Sequence, residues 1–183
     1  MTYFAVIDTE TNWQDQVMSI GTVIADSNTF CPVDAQYHVL DPEYLVGGMY
    51  SDRLFPDNRL HPVLCTRREA VEYLCNWLTD FGVTAIFAYN ASFDRNHLPE
   101  FSHFCWYDII RIAAYRQHNP KIPHNAECCS TGRMKRNYGV ESMTRLLSGD
   151  SRYHETHNAI YDAMDELTIM RLLGQKIEDY IPL

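Results

Sequence analysis

Two carboxylates stand one residue apart at the end of an apolar run near the N-terminus. Residues 3–7 are mostly apolar and lead into Asp8 and Glu10, which is typical of a strand that is buried on both faces. Side chains at positions i and i+2 of a strand point to the same side, so the two carboxylates are expected to lie side by side. Like charges at that distance repel each other, and a divalent cation would relieve the repulsion. The pattern therefore predicts a metal site at the end of this strand.

Three further residues have side chains that fit such a site. Asp94 follows another predicted buried strand and falls in the first turn of a predicted helix, where the helix dipole also stabilises a carboxylate without any metal. His157 and Asp162 lie five positions apart in a segment predicted to be one helix, residues 155–173, and share one broad face of it. Each residue alone is more often structural than functional.

Taken together, these residues form an ordered pattern. Asp8-x-Glu10 is followed by Asp94 in the segment Tyr89–Asp94, and then by His157-x-x-x-x-Asp162. The order and spacing resemble those of the DEDD-type 3′–5′ exonucleases that carry a histidine in the last motif. That superfamily has a ribonuclease-H-like fold and includes the proofreading subunit of bacterial DNA polymerase III and oligoribonuclease. The resemblance spans nearly the whole chain and implies a single exonuclease domain over residues 1–183.

The resemblance implies phosphodiester hydrolysis with two divalent cations, Mg²⁺ or Mn²⁺, held ~3.5–4 Å apart. Hard cations of this kind take oxygen ligands, which carboxylates supply. By analogy, Asp8 contacts both ions, Glu10 and Asp162 complete the ion beside the attacking water, and Asp94 holds the second ion partly through water. His157 is expected to accept the proton of that water, because histidine has a reference pKa of about 6.5.

The resemblance also implies a pocket for the terminal nucleotide. Thr9 and Thr11 occupy the positions that hold its sugar in related enzymes. Met18 and Ile20, on the second predicted strand, are expected either to wedge against the last base or to pack in the core.

The chain departs from the common pattern directly after its first motif. Many relatives have Thr-Gly there, whereas this chain has Asn12-Trp13. Trp13 falls in a predicted turn, so it is a candidate for stacking on a base or for covering part of the core.

The predicted elements favour an α/β fold, namely a mixed sheet with helices on both faces. The predicted strands are Tyr3–Asp8, Gln16–Ala25, Ala35–Leu40, Thr84–Tyr89 and Phe104–Tyr107. Thr66 and Glu69 predict a capping box at the start of the first helix. The other predicted helices cover residues 93–101, 108–117, 141–148 and 155–173.

Three smaller features complete the predicted organisation. Gly21 in the second strand indicates a close approach of backbone or ligand. The segment Asp41–Pro62 contains three prolines and two glycines and predicts a long loop that lines the site. Asp165 and Glu166 are assigned to the solvent-exposed face of the last helix.

Composition restricts the possible functions. The 183-residue chain has a net charge of −9, which argues against a whole-surface electrostatic grip on long nucleic acid. The segment from Asp108 to Arg145 has seven basic and three acidic residues, so it is a candidate face for a polyanionic substrate or simply a solvated loop. Its basic residues are Arg111, Arg116, Lys121, Arg133, Lys135, Arg136 and Arg145.

The six cysteines form no C-x-x-C pair and predict reduced thiols in a cytoplasmic protein. The sequence has no apolar run long enough to span a bilayer and no signal-peptide pattern.

The leading interpretation is a free 3′–5′ exonuclease acting on the 3′ ends of single-stranded DNA or RNA, because the chain ends at Leu183, soon after its last helix. A polymerase-associated proofreading subunit is the alternative within the same class. An inactive nuclease fold that binds nucleic acid or protein, and a metal enzyme with another substrate, are the alternatives outside it.

Overall fold

The computed structural model describes residues 2–55 and 61–183. Its centre is a mixed sheet of six strands in the spatial order β4-β3-β2-β1-β5-β6. The strands are β1 Tyr3–Thr11, β2 Val17–Asp26, β3 Pro32–Leu40, β4 Val63–Cys65, β5 Ala85–Ala88 and β6 Cys105–Asp108. The helices are α1 Arg67–Asp80, α2 Ser92–His97, α3 Ile110–Ala113, α4 Val140–Ser148 and α5 Ala159–Leu173.

The sheet contains both antiparallel and parallel strand pairs, and this pairing determines which strand ends are neighbours. β1 pairs antiparallel with β2, and β2 pairs antiparallel with β3, so the first three strands form an antiparallel meander. β5 runs parallel to β1, and β6 runs parallel to β5. The carboxyl ends of β1 and β5 therefore meet at one edge, and the residues that follow these strands are close in space.

Helices cover both faces of the sheet, as predicted, because β1 is apolar on both sides. Phe4 and Val6 pack in a core shared with α4 and α5. Ala5 and Ile7 point the other way, into a core shared with α1. Among the described residues, no helix is both long and apolar enough to cross a membrane.

A β-bulge in β2 places Met18 and Ile20 on opposite faces of the sheet, although they are two residues apart in the sequence. Glu10 pairs with Ser19 and Thr11 pairs with Val17, so Met18 is left without a partner in the register. The extra residue reverses the alternation of side chains. Met18 therefore packs on the α5 face and Ile20 on the α1 face.

Several predicted boundaries change. The capping box of Thr66 and Glu69 is present at the start of α1. The helix predicted for residues 108–117 is only α3, because the chain turns back after Ala113 into irregular structure. The strand β4 was not predicted, and residues 56–60 of the predicted loop Asp41–Pro62 lie outside the described residues.

Gly21 lies where β2 passes under the first turn of α5, as its position in the strand predicts. A Cβ atom at this position would lie 2.1 Å from the carbonyl oxygen of Ala159 and 2.3 Å from the backbone nitrogen of Ile160. Since both neighbours are backbone atoms, they cannot rotate away. Glycine at this position lets α5 approach the sheet closely enough to bring its side chains over β1.

Gly21→Ala is expected to destabilise the protein by about 3 kcal/mol, at the upper end of the range for overpacking, because the clash is with backbone. At about 2–4 °C for each kcal/mol in a chain of this size, the Tm should fall by about 6–12 °C. Thermal unfolding followed by circular dichroism measures the shift. Gly139→Ala is the matched control, since a Cβ there meets no atom within 4 Å; equal Tm values for the two variants would contradict the described packing.

Candidate functional site

Three carboxylates converge at the end of β1. One oxygen atom from each of Asp8, Glu10 and Asp162 lies within 4.8 Å of the other two. Asp8 and Glu10 share a face of β1 because they are two residues apart, and α5 packs on that face and contributes Asp162. The predicted side-by-side arrangement on the strand is confirmed.

Two oxygen atoms at this site lack protein partners among the described residues. Asp8 Oδ2 and Asp162 Oδ1 are shielded from solvent, and neither has a hydrogen-bond partner among the described residues. Buried acceptors of this kind are costly unless they are satisfied. A set of free carboxylate oxygens is the ligand set that Mg²⁺ and Mn²⁺ prefer, so the residues present fit divalent cations.

Asp94 approaches the same site from α2. Its carboxylate is 3% exposed and lies in the first turn of the helix, as predicted. The Thr9 backbone N–H and hydroxyl both donate to Asp94 Oδ1, at 3.0 and 2.8 Å. The Thr9 side chain thus positions Asp94, which is a different contact from the sugar contact expected for it.

The carboxylates raise one another's pKa values. Desolvation raises the pKa of Asp8 well above its ordinary value, and the charges of Glu166 and Asp94 add to the effect. Burial, with smaller contributions from nearby charges, raises the pKa of Glu10 to about 7 and that of Asp162 to about 8. Burial also raises the pKa of Asp94 to about 7, against the opposing effect of its hydrogen bonds from Thr9. Without a cation, the site therefore retains protons near neutral pH.

The stability of the metal-free protein should fall as the pH rises. Glu10, Asp94 and Asp162 have pKa values of about 7, 7 and 8 in the folded protein, against about 4 in an unfolded chain. The folded state thus binds more protons between pH 4 and 8, so the stability that these groups contribute is complete below pH 4 and lost by about pH 8. One proton is equivalent to about 1.4 kcal/mol per pH unit. In EDTA, the Tm should fall between pH 6.5 and 8.5.

Saturating Mn²⁺ is the matched condition. A bound cation keeps the carboxylates ionised in the folded state, so the Tm should change less with pH than it does in EDTA. The range starts at pH 6.5 because burial lowers the pKa of His38 to about 4. Between pH 4 and 6.5 that histidine opposes the carboxylates, since stability linked to it rises with pH. A Tm in EDTA that rises from pH 6.5 to 8.5 would contradict the described burial of the cluster.

His157 does not lie on the last helix, which corrects the prediction for residues 155–173. α5 begins at Ala159, and His157 precedes it with a φ of 55°, in the left-handed region that few non-glycine residues occupy. Its ring stacks on Tyr50, with 4.1 Å between the ring centroids and 12° between the planes. A ring nitrogen of His157 and oxygens of Glu155 and Asp162 lie within 4.8 Å of one another. Asp162 therefore belongs both to the carboxylate cluster of β1 and to the group of side chains around His157.

The segment that carries His157 is attached to α4 and to the sheet. Glu141 accepts a hydrogen bond from the Glu155 backbone N–H at 3.1 Å, and Arg145 Nε donates to the Tyr153 carbonyl at 2.7 Å. The side chain of Asn158, the residue before α5, donates to the Tyr37 hydroxyl at 2.9 Å. These contacts hold the imidazole over the carboxylates without a helix.

A cleft opens beside Glu10 and has a volume of about 290 Å³. Trp13 lies at the rim of this cleft and is 68% exposed, so its ring is accessible for stacking on a base. Asn12 is buried and builds the turn, since its amide donates to the Glu43 carbonyl at 2.9 Å. The cleft is lined by Thr9, Glu10, Thr11, Asn12, Trp13, Met49, Tyr50 and Phe93.

Met18 and Ile20 are both fully buried, which corresponds to core packing, one of the two alternatives for them. Ile20 faces α1, on the side of the sheet away from the carboxylates, so core packing is the alternative that holds for it. Met18 lies on the side of the site but beneath the loop, and a Cβ at Gly48 would lie 3.0 Å from its methyl carbon.

Three residues at or beside the site were not predicted from the sequence. Tyr50 lies in the predicted loop, where no periodicity indicates side-chain direction. Glu155 was placed inside the last helix without a role. Glu166 was assigned to the solvent-exposed face, which is wrong, because it is 1% exposed. Its spacing of four residues from Asp162 on α5 was the available signal, since such residues share a helix face.

The basic residues of the 108–145 segment fall into two groups. Arg111, Arg116, Lys121 and Arg145 donate to backbone carbonyls. Arg133, Lys135 and Arg136 are exposed. They lie close in sequence to the Tyr138 carbonyl, which accepts a hydrogen bond from Tyr89 at the end of β5.

No protein-family model and no curated protein matches the chain. Solved structures do match it. The nuclease domain of 3′hExo, a DEDDh family member bound to rAMP, gives a TM-score of 0.67 at 12% identity over 99% of this chain and 96% of that one. Exonuclease X in complex with 5′ overhanging duplex DNA gives 0.55 at 18% identity over 96% and 95%.

A third match covers less than half of the other chain. Escherichia coli Exonuclease I in complex with a dA16 oligonucleotide gives a TM-score of 0.63 at 13% identity over 98% of this chain and 42% of that chain. At these identities the likeness concerns the fold. The α/β, ribonuclease-H-like fold predicted from the sequence is confirmed.

Proposed function

We propose that this protein is a metal-dependent 3′–5′ exonuclease that releases nucleoside monophosphates from single-stranded DNA or RNA. One observation carries the proposal. The carboxylates of Asp8, Glu10 and Asp162 lie within 4.8 Å of one another, and His157 lies within the same distance of Asp162. A set of hard oxygen ligands beside a histidine base is what metal-assisted phosphodiester hydrolysis requires. Exonuclease X and Exonuclease I have structures similar to this one, which supports the assignment.

Each residue has a role in this proposal. Asp8 would contribute to both cation sites, Glu10 and Asp162 would hold the cation next to His157, and Asp94 would contribute to the second site. When bound, Mg²⁺ or Mn²⁺ would supply Lewis-acid stabilisation of the charge that develops on the phosphate. His157 accepts the proton of the attacking water, and its stacking on Tyr50 limits rotation of the imidazole ring.

Single-stranded ends are the proposed substrate because the cleft beside Glu10 offers ring faces for unpaired bases. Trp13 stands at the rim and Tyr50 on the wall. Thr11 remains the proposed contact to the terminal sugar, and Met18 can reach a base only if the loop that contains Gly48 moves. Similar structures bind rAMP or a dA16 oligonucleotide, so both nucleic acids are kept as substrates.

Trp13→Ala is expected to weaken substrate binding with little change in the chemical step. Stacking of a base on an aromatic ring contributes about 1–3 kcal/mol, so KM should rise about 5- to 150-fold while kcat stays within about threefold. Steady-state kinetics on a single-stranded oligonucleotide measure both constants. Tyr73→Ala removes an exposed aromatic residue on α1 and is the control. A KM unchanged by Trp13→Ala would contradict the stacking role.

Arg133, Lys135 and Arg136 are proposed to contact the phosphates upstream of the 3′ end. Exposure of these residues near the end of β5 supports this role. Charge reversal at the three positions should weaken binding and reduce its dependence on salt concentration. Unchanged binding and salt dependence would restrict the role of this segment to structure.

The proposed function is tested by incubating the purified protein with Mn²⁺ or Mg²⁺ and 5′-labelled single-stranded DNA, RNA and short oligonucleotides. A ladder of products shortened from the 3′ end is the expected result for at least one substrate. Folded protein that binds these substrates but gives no ladder with either metal would favour an inactive nuclease fold. A ladder seen only when a polymerase is added would favour a proofreading subunit.

A cytoplasmic location is part of the proposal. All six cysteines are free, which suits a reducing compartment.

A further inference from the structure

A second group of cation-binding side chains lies beside the carboxylates of β1. A ring nitrogen of His157 and one carboxylate oxygen each from Glu155 and Asp162 lie within 4.8 Å of one another. We call these three residues the histidine cluster. It shares only Asp162 with the all-carboxylate cluster of Asp8, Glu10 and Asp162. The catalytic roles given above leave Glu155 unused.

The histidine cluster has free ligand atoms and no protein cation. The ring of His157 has no hydrogen-bond partner in the described part of the chain. Asp162 Oδ1 is shielded from solvent and also lacks a described partner. Among the described residues, no lysine or arginine pairs with Glu155 or Asp162, and Arg145 pairs with Glu141 at 2.9 Å instead. Because a buried acceptor without a partner is costly, these atoms are suited to a ligand from solvent.

A hydrogen bond from His157 to Glu155 is the simplest alternative use of the cluster, because such a bond would orient the imidazole. The structure has no such bond among the described residues. A shared ion accounts for the arrangement better, since two ligand atoms of one tetrahedral Zn²⁺ ion lie roughly 3.4 Å apart when each bond is about 2.1 Å. Glu155 and His157 are half-buried, so an ion can enter from solvent and small side-chain rotations can close the site.

The donor atoms distinguish the histidine cluster from the all-carboxylate cluster. Mg²⁺ prefers oxygen ligands and keeps several waters, whereas imidazole nitrogen favours Zn²⁺ and other transition metals. Open Zn²⁺ sites in proteins have three protein ligands and one water, and they accept histidine nitrogen together with carboxylate oxygen. The histidine cluster supplies one nitrogen and two oxygens. It is therefore expected to bind Zn²⁺ in preference to Mg²⁺.

We propose that Glu155, His157 and Asp162 form an inhibitory Zn²⁺ site that is separate from the sites of the two catalytic cations. The imidazole lone pair that would accept the proton of the attacking water forms the bond to Zn²⁺ instead. That proton then has no acceptor, so the O–H bond of the water is not broken. Binding of Zn²⁺ requires only the geometry of the cluster, whereas inhibition rests on the proposed function.

Titration of Zn²⁺ into the full-length protein in excess Mg²⁺, followed by calorimetry, tests the site without substrate. Glu155→Gln should bind Zn²⁺ at least about 10-fold more weakly than the wild type, the lower end of the loss that follows removal of a metal-site partner. The ¹⁵N resonance of the His157 ring, identified by its absence from His157→Ala, should shift when Zn²⁺ is added to the wild type. This second measurement decides the case if Glu155→Gln does not fold.

Inhibition is measured as the Zn²⁺ concentration that halves the rate of 3′-end hydrolysis in excess Mg²⁺. Glu155→Gln should raise this concentration at least about 10-fold, in proportion to the lost affinity. Asp150→Asn is the matched control, because it removes an exposed carboxylate from the same segment between α4 and α5. The control should be inhibited by Zn²⁺ as the wild type is.

Different failures point to different conclusions. Equal Zn²⁺ affinity in the wild type and Glu155→Gln, or a His157 resonance that does not move when Zn²⁺ binds, would overturn the site. Equal inhibition of the two proteins would show that Zn²⁺ acts by displacing Mg²⁺ from the carboxylates, and would overturn the inhibitory role. A Zn²⁺ site that depends on Glu155, in a protein whose wild type cleaves no nucleic acid, would support the site while the proposed function fails.

Discussion

Replacing His157 by alanine is expected to lower kcat for 3′-end hydrolysis by about 10²–10⁴-fold at pH 7, the usual contribution of a general base. The reason is geometric as well as chemical. The ring is held by its stacking on Tyr50 at a centroid distance of 4.1 Å and lies within 4.8 Å of Asp162. No other histidine is in the cation clusters of the described residues. Single-turnover kinetics on a labelled oligonucleotide measure the effect on the chemical step.

The His157→Ala protein should still bind Mn²⁺, because Asp8, Glu10 and Asp162 remain. Retained metal binding with a lost chemical step separates a base from a metal ligand. His124→Ala, which removes an exposed histidine, is the matched control. A full rate for His157→Ala at pH 7 would show that another group takes the proton.

Replacing Asp8 by asparagine is expected to abolish activity and to stabilise the metal-free protein. Asp8 is the carboxylate on which the other charges converge, since Glu166, Asp94, Asp162 and Glu10 all raise its pKa. Loss of several kcal/mol of stabilisation by the cations lowers kcat by about 10³-fold or more, at about 1.4 kcal/mol for each factor of ten. In EDTA at pH 8, the Tm of Asp8→Asn should exceed that of the wild type.

Opposite changes in activity and stability are the diagnostic result for Asp8. Replacing a carboxylate with a structural role would destabilise the protein. Removing the charge of a carboxylate that holds cations should instead stabilise the metal-free protein. Glu72→Gln, at an exposed position of α1, controls for the change in net charge and should alter neither property. Activity within tenfold of the wild type in Asp8→Asn would contradict its role as the shared ligand.

The sequence by itself determined the carboxylates and the element that carries two of them. Asp8 and Glu10 had to lie side by side because the strand has a period of two residues, and the apolar run before them required burial on both faces. Asp94 could be placed at the start of a helix for a similar local reason. Each of these arguments depends on residues that are close in the chain.

Only the tertiary structure decided which groups surround those carboxylates. His157 left its predicted helix because hydrogen bonds from Arg145 and to Glu141 hold its segment in an irregular path, and such contacts between distant residues have no signature in local sequence. The bulge at Met18 separated that residue from Ile20 by an irregularity that the alternating pattern does not reveal. Glu166 became a buried group because Gly21 lets α5 approach the sheet closely. Burial of a charged side chain depends on what packs over it, so the burial of Glu166 could be recognised only in the folded chain.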